Sequence, residues 1–170
     1  GKRRDVEVET EVTAYCEYAN GATGVFVTTT TETPGTNRFE IVGSQGKIVI
    51  EDEQLKFWRT VTDEKEWNDT YTGGFGEPEV WEIKIPVEFD GSTGHLRVTQ
   101  NFVNNILFGE KLVAPATDGI YGLSISNAIH LSSWLGQWVE LPIDEELFLE
   151  ELNKKIAGSK DKDVKEKVLD

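Results

Sequence analysis

Two histidines, one cysteine and a surplus of carboxylates are what this chain of 170 residues offers for side-chain chemistry. His95 follows Gly94 at the first turn of a segment with helical spacing, where backbone N–H groups point outward. A neutral imidazole there can donate to or accept from a hydroxyl-rich ligand; it can equally be an ordinary surface or capping histidine. His130 lies between Ile129 and Leu131 on a second helical segment, which favours a structural role. A zinc site needs three or four convergent ligands. The histidines have no acidic partner at ligand spacing and Cys16 belongs to no CxxC pair, so no metal site is expected. Alternation puts Cys16 on one strand face with Val12 and Ala14, where a thiol behaves as a small hydrophobe. Asn37 and Arg38, beside the Pro34-Gly35 break, can hydrogen-bond a sugar hydroxyl, although loop asparagines often serve their own backbone. Among 31 acidic residues no pair stands out for glycoside hydrolysis. No dinucleotide fingerprint, P-loop, nucleophile elbow or HExxH is present. Gly73, Gly74 and Gly76 cluster far from any strand-to-helix junction, so they do not suggest a phosphate cradle.

The elements that must position these residues are strands first and helices later. Residues 6–18 alternate, Asn20-Gly21 suits a two-residue type I′ turn, and residues 22–31 return as a β-branched partner strand. Further strands are expected at 38–42, 47–51 and 54–59, then a long polar loop over 61–78, then a strand at 79–87. Helical spacing covers 93–108, closed by Gly109, and 117–135, capped by Thr117 or Asp118 and closed by Gly136. Asp144 caps a third helix running to Ile156 and stopped by Gly158. This order predicts an α+β fold, an open and mainly antiparallel sheet with helices packed on one face.

Thr13, Tyr15, Thr28, Thr30, Trp58 and Trp81 do not all fit on the helix side of such a sheet. An open face so rich in threonine and aromatics marks a partner surface, and self-association through it is expected; the competing reading packs the aromatics under the long loop. The formal charge of -14 argues against nucleic acid and acidic membrane surfaces. No run of 18 apolar residues and no signal-peptide pattern is present, which points to a cytoplasmic protein. One domain over residues 5–158 and a charged tail over 159–170 are expected. The chain opens Gly-Lys-Arg-Arg without methionine and enters a strand pattern almost at once. That suggests a start between domains, with Gly1 a cloning remnant.

Three segments in series carry a resemblance: EVTAYCEYANGATGVFVTTT, PGTNRFEIVGSQGKIVIE and NFVNNILFGEKLVAPATDGIYGLSISNAIHLSSWLGQWVELPID. Together they resemble the C-terminal domain of the Gfo/Idh/MocA oxidoreductases over roughly residues 5–150. The resemblance implies the glyceraldehyde-3-phosphate-dehydrogenase-like C-terminal fold. It also implies a substrate-binding and oligomerisation domain of an NAD(P)-dependent enzyme acting on sugars, inositols or polyols. In the family, NAD or NADP is held by an N-terminal Rossmann domain, which also brings the lysine of an EKP-like motif. An acid and a histidine in a DxxxH motif follow it. Neither motif occurs here, so no catalytic residue and no cofactor contact carries over, and the chain is expected to be inactive alone. The family segment that reaches the substrate corresponds to the loop holding Thr33, Gly35, Asn37 and Arg38; His95 joins these as a candidate contact. The family's dimers or tetramers form through the open sheet, which corresponds to the face of Tyr15, Thr28, Thr30, Trp58 and Trp81. The alternatives are a non-enzymatic carbohydrate-binding module and a scaffold relative that has lost catalysis.

Overall fold

The computed structural model describes residues 7–87 and 94–159. Expectations for the chain start, for residues 88–93 and for the tail from residue 160 fall outside these. The class is the expected mixture of open antiparallel sheets and helices. Two compact units form: Glu32–Arg97 is one, and the stretches up to Thr31 and from Val98 are the other.

The flanking unit begins with a hairpin of β1 (Glu11–Glu17) and β2 (Thr23–Thr29). Its loop is not the expected two-residue turn. Gly21 N–H donates to the Tyr18 carbonyl and Tyr18 N–H to the Ala22 carbonyl, both at 2.9 Å, so three residues span the gap. Only Gly21 has positive φ, 85°, and the Asn20 side chain accepts from Ala22 N–H at 3.0 Å. Three-residue loops of this kind need a left-handed residue only at their last position, which Gly21 fills.

The loop has a consequence for both faces. A two-residue turn would set Thr13 opposite Thr28, whereas the observed register sets Val12 opposite Thr28 and Tyr15 opposite Val25. A slip of one residue moves every side chain of the second strand to the other face.

The helices of this unit are α2 (Gly94–Phe108), whose first turn belongs to the other unit, α3 (Gly119–Leu135) and α4 (Glu145–Gly158). A 3-10 turn, Ala116–Asp118, precedes α3, and Asp118 makes no side-chain cap bond. Asp144 caps α4 as expected, accepting from Glu146 and Leu147 N–H at 3.0 Å. Gly109 (φ 71°) and Gly136 (φ 64°) end α2 and α3 in the left-handed region, as the helix-stop pattern predicted. Leu131 is the buried centre, 1 % exposed. His130 Nδ1 lies 3.7 Å from Glu9, and Trp138 packs edge-on against Tyr15 at 6.0 Å. Trp134 joins His130 on α3 to Phe148 on α4 by ring contacts of 5.6 and 5.5 Å.

The other unit is a meander of β3 (Arg38–Gly43), β4 (Gly46–Glu51), β5 (Gln54–Thr60) and β6 (Val80–Ile83), in that spatial order. The last strand is shorter than the predicted 79–87. Pairing fixes two opposite faces. Phe39, Ile50 and Leu55 lie side by side on one, as do Ile41, Ile48, Phe57 and Ile83. The other carries Arg38 and Glu51, then Glu40, Val49 and Lys56, then Lys47, Trp58 and Glu82. Val49 is buried to 2 % exposure on this charged side.

The β4–β5 loop is Asp52-Glu53, with φ of 50° and 60°. This is where the chain makes its two-residue turn with both residues left-handed, without a glycine. Left-handed backbone costs a residue with a Cβ about 1–2 kcal/mol. Glu53→Gly, which restores the preferred Asp-Gly pair, should therefore stabilise the sheet by about 1 kcal/mol. The check is a higher urea midpoint at unchanged slope.

The predicted long loop contains a helix, α1 (Glu64–Thr70). Asp63 caps it, accepting from Lys65 N–H at 3.0 Å and from the Ser44 hydroxyl at 2.7 Å. With Glu64 and Glu66 in the first turn, the start signal was present in a segment read as polar loop.

Candidate functional site

Thr33, Gly35 and Asn37 occupy the exposed, irregular segment before β3, where Thr36 donates to Glu32 at 2.9 Å. Arg38, the first residue of β3, is fully engaged: its guanidinium binds Glu40 and, at 2.8 Å, Glu51. Lys47 adds a 2.6 Å contact to the other oxygen of Glu40. Lys47 and Arg38 together hold the Glu40 carboxyl below the ordinary carboxylate range. This arrangement clamps β3 to β4 and presents Asn37 and the backbone of residues 33–36 to solvent. Arg38 acts there as the anchor of the loop. His95 lies exposed in the first turn of α2, remote in sequence from that loop.

The five residues expected on one association face are divided. Tyr15 points to Trp138. Thr28 lies on the opposite hairpin face, and Thr30 closes the hairpin's open end by donating to the Thr10 carbonyl. Trp58 pairs with Glu82 on the charged face of the four-stranded sheet, whereas Trp81 pairs with Arg59 on the apolar face. Strand alternation separates them: Trp58 lies one residue before Arg59, and Trp81 one before Glu82.

Two constellations were not anticipated. The first joins α2 to the segment after it. Asn101, 8 % exposed, donates to Glu110 Oε1 at 2.8 Å and to the Lys111 carbonyl at 3.0 Å, while its Oδ1 accepts from Val113 N–H at 3.0 Å. Asn104 donates to Glu110 Oε2 at 2.8 Å and Asn105 to the Glu110 carbonyl at 2.6 Å. Asn104 and Asn101 hold the Glu110 carboxyl below its ordinary range. The visible signal was three asparagines at 101, 104 and 105, a polar stripe on a helix followed by Gly109-Glu110.

The second is aromatic. Tyr71 stacks on Trp67 at 4.2 Å, and its hydroxyl donates to the Phe75 carbonyl at 3.4 Å. A Cβ on Gly73 or Gly76 would come within 2.3 or 2.6 Å of the Tyr71 hydroxyl, so the loop's glycines wrap this ring. That explains the glycine cluster without a phosphate.

Because β5 and β6 stop pairing at Phe57 and Ile83, the chains part beyond that point and leave an open groove of about 610 Å³. Gln54, Lys56, Lys84 and Ile85 line it, with Pro86, which has no N–H to continue the ladder. Among the described residues no three His, Cys, Asp or Glu side chains converge on a possible metal position. No helix among them is long and apolar enough to cross a membrane.

The depressed carboxyls predict an acid response. Glu40, Asp63 and Glu110 each have a folded-state pKa below the unfolded one. Such groups stabilise above the unfolded pKa, and that contribution is lost as pH falls through the folded pKa. The melting temperature should fall as pH drops below about 4, and Glu110→Gln should flatten this dependence.

Residues 1–49 match a family model described as the GFO/IDH/MocA C-terminal domain. The match takes in β1, β2, the segment around residues 33–37, β3 and most of β4. No curated protein matches the chain.

Proposed function

We propose that this chain, whose residues 1–49 match the GFO/IDH/MocA C-terminal domain model, is the substrate-binding and oligomerisation domain of an NAD(P)-dependent sugar, inositol or polyol oxidoreductase. The family match carries the proposal. Residues 5–158 serve as one functional domain, in the cytoplasm, and catalysis needs a separate domain that brings the cofactor.

The glycine cluster at residues 73–76 is filled by the Tyr71 ring and opens no helix after a strand, so it does not fit a dinucleotide phosphate. The chain's own contribution in this reading is to the polyol. Thr33, Asn37 and the backbone between them offer donors and acceptors on a loop anchored by the Arg38 clamp. His95 is a second candidate contact from α2. Such groups select among epimers, because a buried polar group left unpaired costs about 1–3 kcal/mol. Closing a wall over the reacting carbon also excludes water and fixes orientation. The exposed apolar side of the four-stranded sheet supports self-association.

The test compares this chain alone with the full native protein in an assay of NAD(P) reduction over a panel of sugars, inositols and other polyols. Turnover by the full protein, none by the chain alone, and a raised KM for Asn37→Ala are expected. Polysaccharide binding by the chain and no turnover by the full protein would favour a carbohydrate-binding module.

A further inference from the structure

The loop that sets the register of β1 and β2 also holds a reactive pair. Asn20-Gly21 is the one Asn-Gly step among the chain's eight asparagines. Asn20, Gly21 and Ala22 are all exposed, and a Cβ built on Gly21 would meet no atom within 4 Å. With no side chain beside it, the Gly21 nitrogen is unshielded. The Asn20 Oδ1 accepts from Ala22 N–H at 3.0 Å. That bond turns the side-chain carbonyl back along the main chain over the Asn20–Gly21 peptide and draws electron density from Cγ. An electrophilic carbon is thereby held beside the backbone nitrogen that can attack it.

The other asparagines lack this combination. Asn68, Asn101, Asn104, Asn105, Asn127 and Asn153 lie inside helices, where the next backbone N–H is committed to the helical ladder. Asn37 precedes Arg38, whose side chain is anchored in the β3–β4 clamp.

We propose that Asn20 is a self-modification site, where the chain deamidates through a cyclic imide. The Gly21 nitrogen gives its proton to a base in solution and attacks Cγ. The N–Cγ bond forms, the Cγ–Nδ2 bond breaks, and the amide leaves as ammonia with a proton from water. Water then opens the succinimide. Attack at Cγ restores the normal main chain with aspartate at position 20, whereas attack at the main-chain carbonyl leaves isoaspartate. Water is the one co-reactant and no electron is transferred. Gly21 N–H donates to the Tyr18 carbonyl at 2.9 Å, so this bond must open before attack, and opening of the loop end limits the rate.

The two products differ in their effect on the hairpin. Aspartate keeps an acceptor for Ala22 N–H and adds one negative charge to a chain already at -14. Isoaspartate adds a main-chain carbon to the three-residue loop and displaces Gly21 N–H from the Tyr18 carbonyl, which loosens the turn end of β1 and β2.

Ageing the intact chain in mildly alkaline buffer at body temperature, followed by peptide mapping with mass spectrometry, tests the proposal. A one-dalton gain should collect on the peptide holding Asn20 ahead of every other asparagine peptide. Asn20→Gln should abolish it, because the longer side chain must close a six-membered ring. Isoaspartate should appear on the same peptide, read by enzymatic carboxyl methylation with labelled S-adenosylmethionine. The isoaspartate form should melt below the parent, while Asn20→Asp melts like it. A gain that falls first on Asn37 or on a helical asparagine would overturn the proposal. So would an unmodified Asn20 when a free peptide of residues 18–24 deamidates under the same conditions. An isoaspartate form that melts like the parent would overturn the stated effect on the hairpin.

Discussion

Gly46→Ala should destabilise the four-stranded sheet by about 3–5 kcal/mol, the largest loss expected from a glycine-to-alanine change among the described residues. Two costs coincide at this position. Gly46 has φ of 144°, where a residue with a Cβ is strained, and an added Cβ would lie 2.1 Å from the Trp58 carbonyl oxygen. The obstacle is backbone, so no side chain can swing aside. The position is also a junction. The neighbouring Ser44-Gln45 turn accepts from Glu64 N–H at 2.8 Å and Thr60 N–H at 3.1 Å, joining the start of α1 and the end of β5 to β3 and β4. Separating β4 from β5 here disturbs all four elements. Gly43, its partner across the turn, has open space around its missing Cβ and no positive φ. Gly43→Ala should cost under about 1 kcal/mol, and urea unfolding of the two variants side by side separates the mechanisms.

Asn101 carries the second large effect. Asn101→Ala removes three hydrogen bonds and leaves Val113 N–H, the Lys111 carbonyl and one oxygen of Glu110 without that partner. The expected cost is about 2–4 kcal/mol, since one of the lost bonds is charge-assisted. Asn101→Asp distinguishes a polar clamp from simple space-filling. It keeps the acceptor for Val113 but loses both donations and sets a carboxylate beside the carboxylate of Glu110. At neutral pH it should be worse than alanine, and its deficit should shrink in acid as one of the paired carboxyls takes a proton. A pH series of melting temperatures for both variants reads this directly. Equal, pH-independent losses would mean that only packing matters.

Much of the fold could be read from the sequence because the relevant physics is local. The glycine stops at 109 and 136 and the Asp144 cap are set within a turn or two of chain. Two further points were legible but misweighed. Asn20-Gly21 looked like a two-residue turn, but the Asn20 side chain bonds Ala22 N–H and stabilises the longer loop. The one extra loop residue shifts the register and puts Tyr15 and Thr28 on opposite faces. Asp63 at the start of α1 was a cap signal outweighed by the polar, glycine-rich stretch around it.

The site residues were less legible for a different reason. Which sheet face Trp58 or Trp81 occupies depends on pairing across strands more than 20 residues apart in sequence. The Asn101–Glu110 clamp required knowing that the chain doubles back on α2. The Tyr71–glycine packing required knowing where one ring goes. None of these is encoded by local spacing.

The most direct test of the central claim is the native reading frame upstream of Gly1. A Rossmann domain with a glycine-rich fingerprint, an EKP-like lysine and a DxxxH helix leading into this chain is expected there. An upstream sequence with no such domain would contradict it, and the chain would then stand as a binding or scaffold domain without a dehydrogenase.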